Sequence, residues 1–302
     1  MHPKGLFYME LIPAKNILSG YAENSGWFGC NYNMNIYRGC SHGCIYCDSR
    51  SACYQIEDFG RVRAKADAHA IIEKNLRAKR KKGIIGTGAM SDPYNPMEAE
   101  YALTRGALKL IDQYRFGIVP LTKSALITRD IDLYAKIAAH SPVSVMMTVT
   151  TSDDALAARV EPGASPPSAR FATLKAFSDA GLHTGIAMMP ILPFLEDNRE
   201  NLRDIVDQAS KAGVRFIAPG FGMTIREGQR EYFYAALDRE FPGLKQRYID
   251  RYGLDYSCAV PEAAELRRWF ETLCREAGIY TRMPDIVASI NKGYATQQMS
   301  FV

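Results

Sequence analysis

Six short apolar segments alternate with longer segments of helical character, and this alternation limits the folds open to the chain. The segments have the length and composition of buried strands, and they lie at residues 33–37, 83–88, 116–121, 143–150, 184–189 and 214–218. Strands that alternate with helices form a parallel sheet with right-handed crossovers. Six units are fewer than the eight of a closed barrel, so we predict an α/β fold built as an open, partial (β/α)6 barrel.

The same pattern divides the chain into three predicted parts. Residues 1–32 contain several Pro and Gly, show no sustained period, and are interpreted as an irregular lead-in. Residues 33–222 carry the strand–helix units without a visible linker. Residues 223–302 are rich in aromatic residues and helical in pattern, so we expect a helical C-terminal extension that packs on the barrel.

Composition and charge bear on the partners to be expected. The 302 residues include 37 basic and 33 acidic ones, and the resulting net charge of +4 is too slight to indicate a nucleic-acid partner, which stays an open but weakly supported alternative. No stretch approaches the roughly 20 apolar residues needed to span a bilayer, so no membrane partner is expected. The N-terminus shows no basic segment followed by an apolar run, and we therefore expect a cytoplasmic protein.

Three of the seven cysteines are concentrated in one loop. Cys40, Cys44 and Cys47 have the spacing C-x3-C-x2-C and directly follow the first predicted strand. Thiolates are soft ligands that select iron–sulfur clusters or zinc. Closed iron–sulfur sites and structural zinc sites both use four protein ligands. Three thiolates would instead leave one coordination position open to a small molecule.

The alternative from another class is a zinc-stabilised binding protein. It would use the same three cysteines and a fourth ligand such as His42, Cys30 or Cys53. The long strand–helix pattern disfavours this interpretation, because a small zinc module does not need a barrel of this size.

The loop resembles the signature of radical S-adenosylmethionine (radical SAM) enzymes, C-x3-C-x-aromatic-C, and Cys40, Cys44, Tyr46 and Cys47 match it position by position. The resemblance implies a [4Fe–4S] cluster held by the three cysteines, S-adenosylmethionine on the open iron, and Tyr46 beside the adenine. It also implies reductive cleavage of S-adenosylmethionine to a 5′-deoxyadenosyl radical, which removes hydrogen from a substrate. An electron donor such as flavodoxin or ferredoxin would then be a partner.

Polar side chains follow the predicted strands at the end where ligands bind in parallel sheets. Ser91 and Asp92 follow the second strand, Lys123 follows the third, and Thr148 and Thr150 end the fourth. S-adenosylmethionine presents a carboxylate, ribose hydroxyls and an adenine edge, which a lysine and hydroxyl groups can bind. We therefore predict that these five residues bind the cofactor.

Further elements resemble the spore-photoproduct-lyase-related branch of the radical SAM enzymes over about residues 33–222. They are Ser91-Asp92-Pro93, Thr122-Lys123, the run from Thr148 to Thr151, Glu161-Pro162, Ala180-Gly181 and the run from Pro190 to Pro193. The resemblance implies that Ser91, Lys123 and Thr148 contact S-adenosylmethionine. Glu161 and Arg170 also fit the pattern, with a structural ion pair as the alternative.

Two positions depart from the lyase itself. Met90 stands where the lyase has a hydrogen-donating cysteine, and Asp48 stands where it has a tyrosine. These departures argue against DNA photoproduct repair, which is the alternative enzymatic function, and leave the substrate open. Tyr46, Cys53 and Cys258 remain as other candidate hydrogen donors.

Overall fold

The computed structural model describes residues 9–21 and 27–294. Its strands are β1 Glu10–Ile12, β2 Leu18–Gly20, β3 Tyr32–Met34, β4 Tyr37–Arg38, β5 Arg63–Lys65, β6 Ile84–Thr87, β7 Gly117–Thr122, β8 Ser144–Thr148, β9 His183–Met188, β10 Phe216–Pro219, β11 Gly222–Thr224 and β12 Ser257–Ala259. Its α-helices are α1 Ala68–Arg77, α2 Glu98–Tyr101, α3 Leu103–Gln113, α4 Ile131–Ala138, α5 Asp154–Val160, α6 Pro167–Asp179, α7 Arg199–Lys211, α8 Gln229–Glu240, α9 Leu244–Tyr252, α10 Ala263–Glu276 and α11 Met283–Ile290.

A seven-stranded sheet forms the centre of the molecule, with the strand order β10-β9-β8-β7-β6-β3-β2. Neighbouring strands from β3 to β10 pair in parallel, and β2 adds an antiparallel edge beside β3. Each of the six parallel strands overlaps one of the six predicted strands. The sheet confirms the predicted partial (β/α)6 barrel, and its linear strand order leaves the barrel open.

The first predicted strand, residues 33–37, is longer than the strand in the structure. β3 ends at Met34, and β4 belongs to a separate three-stranded sheet with β5 and β1. Between them, the amide of Asn35 donates to the carbonyl of Ile17, and the carbonyl of Ile36 accepts from the amide of Lys65. The chain thus changes sheets just before the cysteine loop, which the apolar alternation could not show.

The predicted irregular lead-in is only partly irregular. It contains β1 and β2, each three residues long, while residues 1–8 and 22–26 lie outside the described part. Strands this short carry too few residues for a period of two to stand out from the sequence.

The outer face of the sheet packs against helices in two apolar clusters. One joins Ile85, Ile118 and Val145 of the sheet to residues of α1, α3 and α4. The other joins Met147, Ile186 and Ile217 to residues of α6, α7 and α10. Because successive side chains of a strand point to opposite faces, the remaining strand residues line the barrel interior.

The amino ends of the strands are covered by α11 and the turn at Trp27–Gly29. Inner-face residues of five strands pack with Phe28, Ile286 and Ile290. The Nε2 of His183, the first residue of β9, lies 2.5 Å from the hydroxyl of Ser289. The C-terminal extension therefore closes the amino end of the barrel.

The rest of the extension contacts the cysteine loop. Residues of α8, α9 and the antiparallel pair β11–β12 form one buried cluster with Ile45 and Tyr46. Residues of the extension thus contact both ends of the barrel. No helix of the described chain is long and apolar enough to cross a membrane.

Candidate active site

The cysteine loop begins with a backbone conformation that only glycine adopts easily. Gly39 has a φ of +79°, and a Cβ there would lie 2.3 Å from the carbonyl oxygen of Arg61. Ser91, which follows β6, donates a 2.5 Å hydrogen bond from its hydroxyl to the Gly39 carbonyl. The phenol of Tyr37 donates to the buried carboxylate of Glu98. These contacts fix the chain directly before Cys40.

The middle of the loop is held by the last residue of α5 and by the segment that follows this helix. The amide of Ile45 donates to the carbonyl of Val160 over 2.9 Å, and the amide of Gly163 donates to the carbonyl of His42 over 2.7 Å. Backbone bonds of this kind on both sides of Cys44 leave its loop little freedom. The residues that carry them are separated by more than a hundred positions in sequence, so only the fold brings them together.

The three thiols differ in exposure. Cys44 is buried, while Cys40 and Cys47 are half-buried. Burial raises the pKa of Cys44 well above its ordinary value and raises the pKa of Cys40 to about 11. Both thiols are therefore protonated until a metal displaces the proton, as metal ligation by cysteine requires.

A buried group of charged and polar side chains lies beside Cys44. Arg170 Nη2 is 2.5 Å from Glu161 Oε2, and Lys123 Nζ is 3.9 Å from Glu161 Oε1. The phenol of Tyr46 donates to the same carboxylate. The ammonium of Lys123 also lies 5.6 Å from the centre of the Tyr46 ring.

The charges of this group stabilise one another. Burial alone would raise the pKa of Glu161, but Arg170 and Lys123 outweigh it and hold the pKa below its ordinary value. Burial alone would lower the pKa of Lys123, but Cys44 and Glu161 outweigh it and raise the pKa. At neutral pH the structure thus holds a carboxylate and two cations next to the cysteine loop.

The other predicted cofactor residues form two sets. Ser91 and Lys123 lie against the cysteine loop or its neighbours, as described above, whereas Asp92, Thr148 and Thr150 form hydrogen bonds with other parts of the barrel. Asp92 accepts hydrogen bonds from the hydroxyl of Thr122 and from the amides of Lys123 and Tyr94, all between 2.6 and 2.8 Å. It therefore orients the end of β7, on which Lys123 stands, and its contact with the cofactor stays a prediction.

Thr148 and Thr150 lie at and just beyond the carboxyl end of β8. The carbonyl of Thr148 accepts from Arg170 Nη1 over 2.9 Å, and the hydroxyl of Thr150 donates to Glu196 over 2.8 Å. The two residues thus connect β8 to buried charged groups. Their binding of S-adenosylmethionine stays a prediction.

Glu196 is a buried carboxyl group that sequence reasoning missed. It is fully buried, and burial raises its pKa to about 8, against the opposing hydrogen bonds from the Leu192 amide and Thr150. Its charge also interacts with Glu161. Its place a few residues after the predicted strand 184–189 was the available signal, because that is where ligand-side residues occur in a parallel sheet.

The donor set fits an iron–sulfur cluster better than zinc. Each residue considered as a fourth zinc ligand is engaged elsewhere. His42 Nδ1 lies 3.4 Å from Asp92 Oδ2, Cys30 packs against the inner face of β6, and exposed Cys53 lies 3.5 Å from Arg226 Nη1. The thiols also need not converge on one point for a cluster, since each binds a different iron. No three His, Cys, Asp or Glu side chains of the described residues converge as around a single metal ion.

The barrel and the cysteine loop together define the class of the protein. The family model of the radical SAM superfamily matches residues 34–209, and the chain belongs to this superfamily. The superfamily implies a [4Fe–4S] cluster and S-adenosylmethionine, and Cys40, Cys44 and Cys47 stay the predicted cluster ligands.

Two relatives show how far the similarity extends in sequence. An uncharacterized protein of Mycobacterium tuberculosis (strain ATCC 25618 / H37Rv) is 33% identical over 256 residues, covering 82% of this chain and 74% of that protein. An uncharacterized protein of Methanocaldococcus jannaschii is 33% identical over 173 residues, covering 56% of this chain and 63% of that protein. The first alignment extends past the superfamily match, so part of the flanking sequence is shared as well.

A solved structure shows the similarity in fold. Spore photoproduct lyase complexed with a dinucleoside spore photoproduct superimposes with a TM-score of 0.63 at 15% identity, over 90% of this chain and 81% of that chain. Another structure of the lyase, a mutant with bound AdoMet and the dinucleoside photoproduct, gives a TM-score of 0.60. These structures support the predicted resemblance to the lyase in fold.

Proposed function

We propose that the chain is a radical SAM enzyme that cleaves S-adenosylmethionine to methionine and a 5′-deoxyadenosyl radical, which takes a hydrogen atom from a carbon of its substrate. The observation that carries the proposal is the cation Lys123, whose side chain is only 17% exposed, beside Cys44 and Tyr46 at the carboxyl ends of the strands. Glu161 is one carboxylate with two cationic neighbours, so the surplus positive charge among the cluster residues favours an anionic ligand there.

The residues present fit both cofactors. Cys40, Cys44 and Cys47 would hold the cluster, and Lys123, Ser91 and Thr148 would orient S-adenosylmethionine. When bound, the cluster supplies the electron that splits the sulfonium of S-adenosylmethionine. The protein supplies orientation and charge, while the cofactors supply the bond-breaking chemistry.

The charge balance of the site suggests the role of Lys123. Glu161 has two cationic neighbours, of which Arg170 is the closer and already forms an ion pair with it. Lys123 stands 3.9 Å away, so its ammonium can turn to a second anion without leaving Glu161 unpaired. A carboxylate of an amino acid is such an anion.

The proposal is tested by anaerobic reconstitution followed by analysis of iron, sulfide and 5′-deoxyadenosine. The wild-type chain should bind about four irons and release 5′-deoxyadenosine with a small-molecule reductant. The Cys44→Ala variant should lose the cluster absorbance and the cleavage together. Deuterium transfer from labelled extract components into 5′-deoxyadenosine, followed by mass spectrometry, would then identify the substrate.

Cys274→Ala is the matched control. Cys274 is another buried cysteine, but it lies on α10 within the cluster that packs against the outer face of the sheet. Its replacement should leave iron content and cleavage unchanged. Full cleavage by Cys44→Ala, or a wild-type chain that binds one zinc and no sulfide, would refute the proposal.

DNA photoproduct repair is the alternative reaction, because the superimposed lyase binds a dinucleoside spore photoproduct. It would need another hydrogen donor here, since Met90 has no S–H group and Asp48 has no phenol. The two positions therefore favour a different substrate. Incubating the reconstituted chain with the dinucleoside photoproduct decides between the two reactions, because repair predicts cleavage of the bond between the two bases and recovery of intact thymine nucleosides.

The remaining parts of the proposal concern partners and organisation. A one-electron donor such as flavodoxin or ferredoxin would reduce the cluster. A reducing compartment suits an open iron–sulfur site, which agrees with the expected cytoplasmic location. We also propose residues 33–222 as the catalytic barrel, with residues 1–32 and 223–302 as its N-terminal and C-terminal additions.

A further inference from the structure

Asp48, the residue directly after the third cysteine, is bound by the C-terminal extension. Thr224 of β11 donates a 2.6 Å hydrogen bond from its hydroxyl to Asp48 Oδ1, and Arg226 Nε lies 3.3 Å from the same oxygen. The phenol of Tyr54 donates to Asp48 Oδ2 over 2.8 Å. Thr224 and Asp48 are 176 positions apart, so this contact exists only in the folded chain.

The residue directly before Cys47 is bound by the same part of the extension. Gln229, the first residue of α8, is fully buried and donates from Nε2 to the carbonyl of Tyr46 over 2.8 Å. A buried carbonyl without such a donor would be left unsatisfied, because nothing replaces the water that it gave up. The extension thus bonds to both neighbours of Cys47.

A third contact lies a few residues further on. The amide of Ala52 donates to the carbonyl of Glu227 over 2.9 Å. Gly228 has a φ of +80°, and a Cβ there would lie 3.2 Å from the carbonyl oxygen of Arg50 and from the amide nitrogen of Ala52. The approach of the two segments therefore depends on glycine at this position.

The partners of the three cysteines come from different parts of the chain. The neighbours of Cys40 and Cys44 are held by the barrel, through Ser91 and Val160. The neighbours of Cys47 are held by Thr224 and Gln229, which lie beyond the barrel in sequence. The extension also contacts the loop beside Cys44, where the Tyr232 hydroxyl lies 3.5 Å from the Gly43 carbonyl. Its shorter hydrogen bonds, of 2.6 and 2.8 Å, go to the two neighbours of Cys47.

We propose that the segment 224–229, here called the clasp, positions Cys47 for cluster binding, with Thr224 and Gln229 as positioning residues that act through Asp48 and the Tyr46 carbonyl. The inference rests on the proposed function, because the clasp can position Cys47 for a cluster only if the chain binds one. The hydrogen bonds of the clasp themselves do not depend on the proposed function. It gives Asp48 a role different from that of the tyrosine in the lyase. Groups that orient ligand residues tune a metal site as well as hold it.

The test uses hydrogen exchange on the full-length, anaerobically reconstituted protein. Thr224→Val keeps the shape of the side chain and removes its hydroxyl, and Gln229→Leu removes the donor to Tyr46. In each variant we expect the amides of residues 46–52 to exchange about tenfold faster, with unchanged exchange in the parallel strands. A tenfold factor corresponds to about 1.4 kcal/mol. Thr224→Ser should restore the wild-type rate.

A second readout concerns the cluster. The electron paramagnetic resonance spectrum of the reduced cluster should change in Thr224→Val and Gln229→Leu and return to the wild-type form in Thr224→Ser. A merely structural contact at the surface would not alter this spectrum. Thr272→Val and Gln246→Leu are the matched controls, since both side chains make local contacts on helices of the extension. Both controls should resemble wild type.

The possible outcomes separate this inference from the proposed function. Wild-type exchange and an unaltered spectrum in both clasp variants would overturn the inference and leave the proposed function intact. A wild-type chain that binds no cluster would overturn the proposed function, while faster exchange in the variants would still establish the contacts of the clasp. If Gln229→Leu fails to fold, Thr224→Val and its Ser revertant decide the question, because Thr224 is only half-buried.

Discussion

The two flanks of the cysteine loop are built from different kinds of contact. On the barrel flank, Lys123, Glu161 and Arg170 form a group of charges that is largely buried, with Glu161 and Arg170 each only 1% exposed at their side chains. On the extension flank, Asp48 is 37% exposed and Arg226 is 26% exposed. Hydrogen bonds from the uncharged hydroxyls of Thr224 and Tyr54 to Asp48 supplement their ion pair.

The difference distinguishes contacts that serve a ligand site from contacts that serve the fold. A buried ion pair seldom stabilises a protein more than apolar residues of the same volume would, because the charges must give up their water. The barrel flank is therefore best explained by a task that requires fixed charges. The extension flank costs little to form, and its contacts hold the backbone rather than present charge to a ligand.

The largest effect is expected when a charge of the barrel flank loses its partner. Arg170→Met would leave Glu161 with the more distant Lys123 alone, and removing one partner of a buried pair costs about 3–5 kcal/mol. Urea unfolding at pH 7 measures this loss. The control is Arg199→Met, which breaks an exposed pair with Glu265 and should cost less than about 1 kcal/mol. Equal effects of the two variants would contradict the comparison.

The next effect concerns ligand binding rather than stability. Lys123→Met should weaken the binding of S-adenosylmethionine by about 10- to 100-fold, since a hydrogen bond to a charged group contributes about 1.5–3 kcal/mol. Iron and sulfide content should stay at the wild-type level. Equilibrium dialysis on the reconstituted protein measures the affinity, with the exposed Lys175→Met as a control. Unchanged affinity would remove Lys123 from the site.

A third test uses the pH dependence of Glu196. Its pKa of about 8 in the folded protein lies above the ordinary value of 4.5. The folded state therefore binds one proton more than the unfolded state between these values, and its stability falls as the pH rises. Between pH 6 and pH 8 the decrease from this group should be about 2 kcal/mol. Glu196→Gln should remove that part of the slope in urea unfolding, and an unchanged slope would contradict the assignment.

The smallest effect on stability is expected on the extension flank. Asp48→Asn keeps the shape of the side chain and removes one negative charge beside Cys47, so the free energy of unfolding should change by less than about 1 kcal/mol. The midpoint potential of the cluster should rise, because less negative charge near a cluster favours its reduced state. A redox titration followed by electron paramagnetic resonance measures the shift. A lower midpoint potential, or a loss of stability as large as that of Arg170→Met, would contradict the proposed difference between the two flanks.

The sequence predicted the parts of the fold that depend on local patterns. The six parallel strands follow from apolar runs of suitable length, and the cysteine spacing lies within one loop. The short strands β2, β11 and β12 could not be found in this way, since three residues do not establish a period. Lys123 was predicted from its position at the end of a strand, and the structure places it beside Cys44.

Contacts between distant residues set the limit of what could be predicted at the site. Tyr46 and Glu161 are 115 positions apart, and nothing in either local sequence shows that the phenol and the carboxylate meet. The local sequence likewise does not show that Glu196 meets Thr150, 46 positions away, or that Thr224 meets Asp48. Residue type and spacing therefore predict the ligand loop, while the groups that hold it in place and surround it with charge required the three-dimensional structure.

The position of α11 has a consequence for the order of events. This helix covers the amino ends of the strands, and the cysteine loop and Lys123 lie at the carboxyl ends. With the amino ends covered, the proposed cofactor and substrate would have to enter at the carboxyl ends or through the open edge of the sheet. Where both use the carboxyl ends, the ligand that lies deeper would have to bind first and leave last.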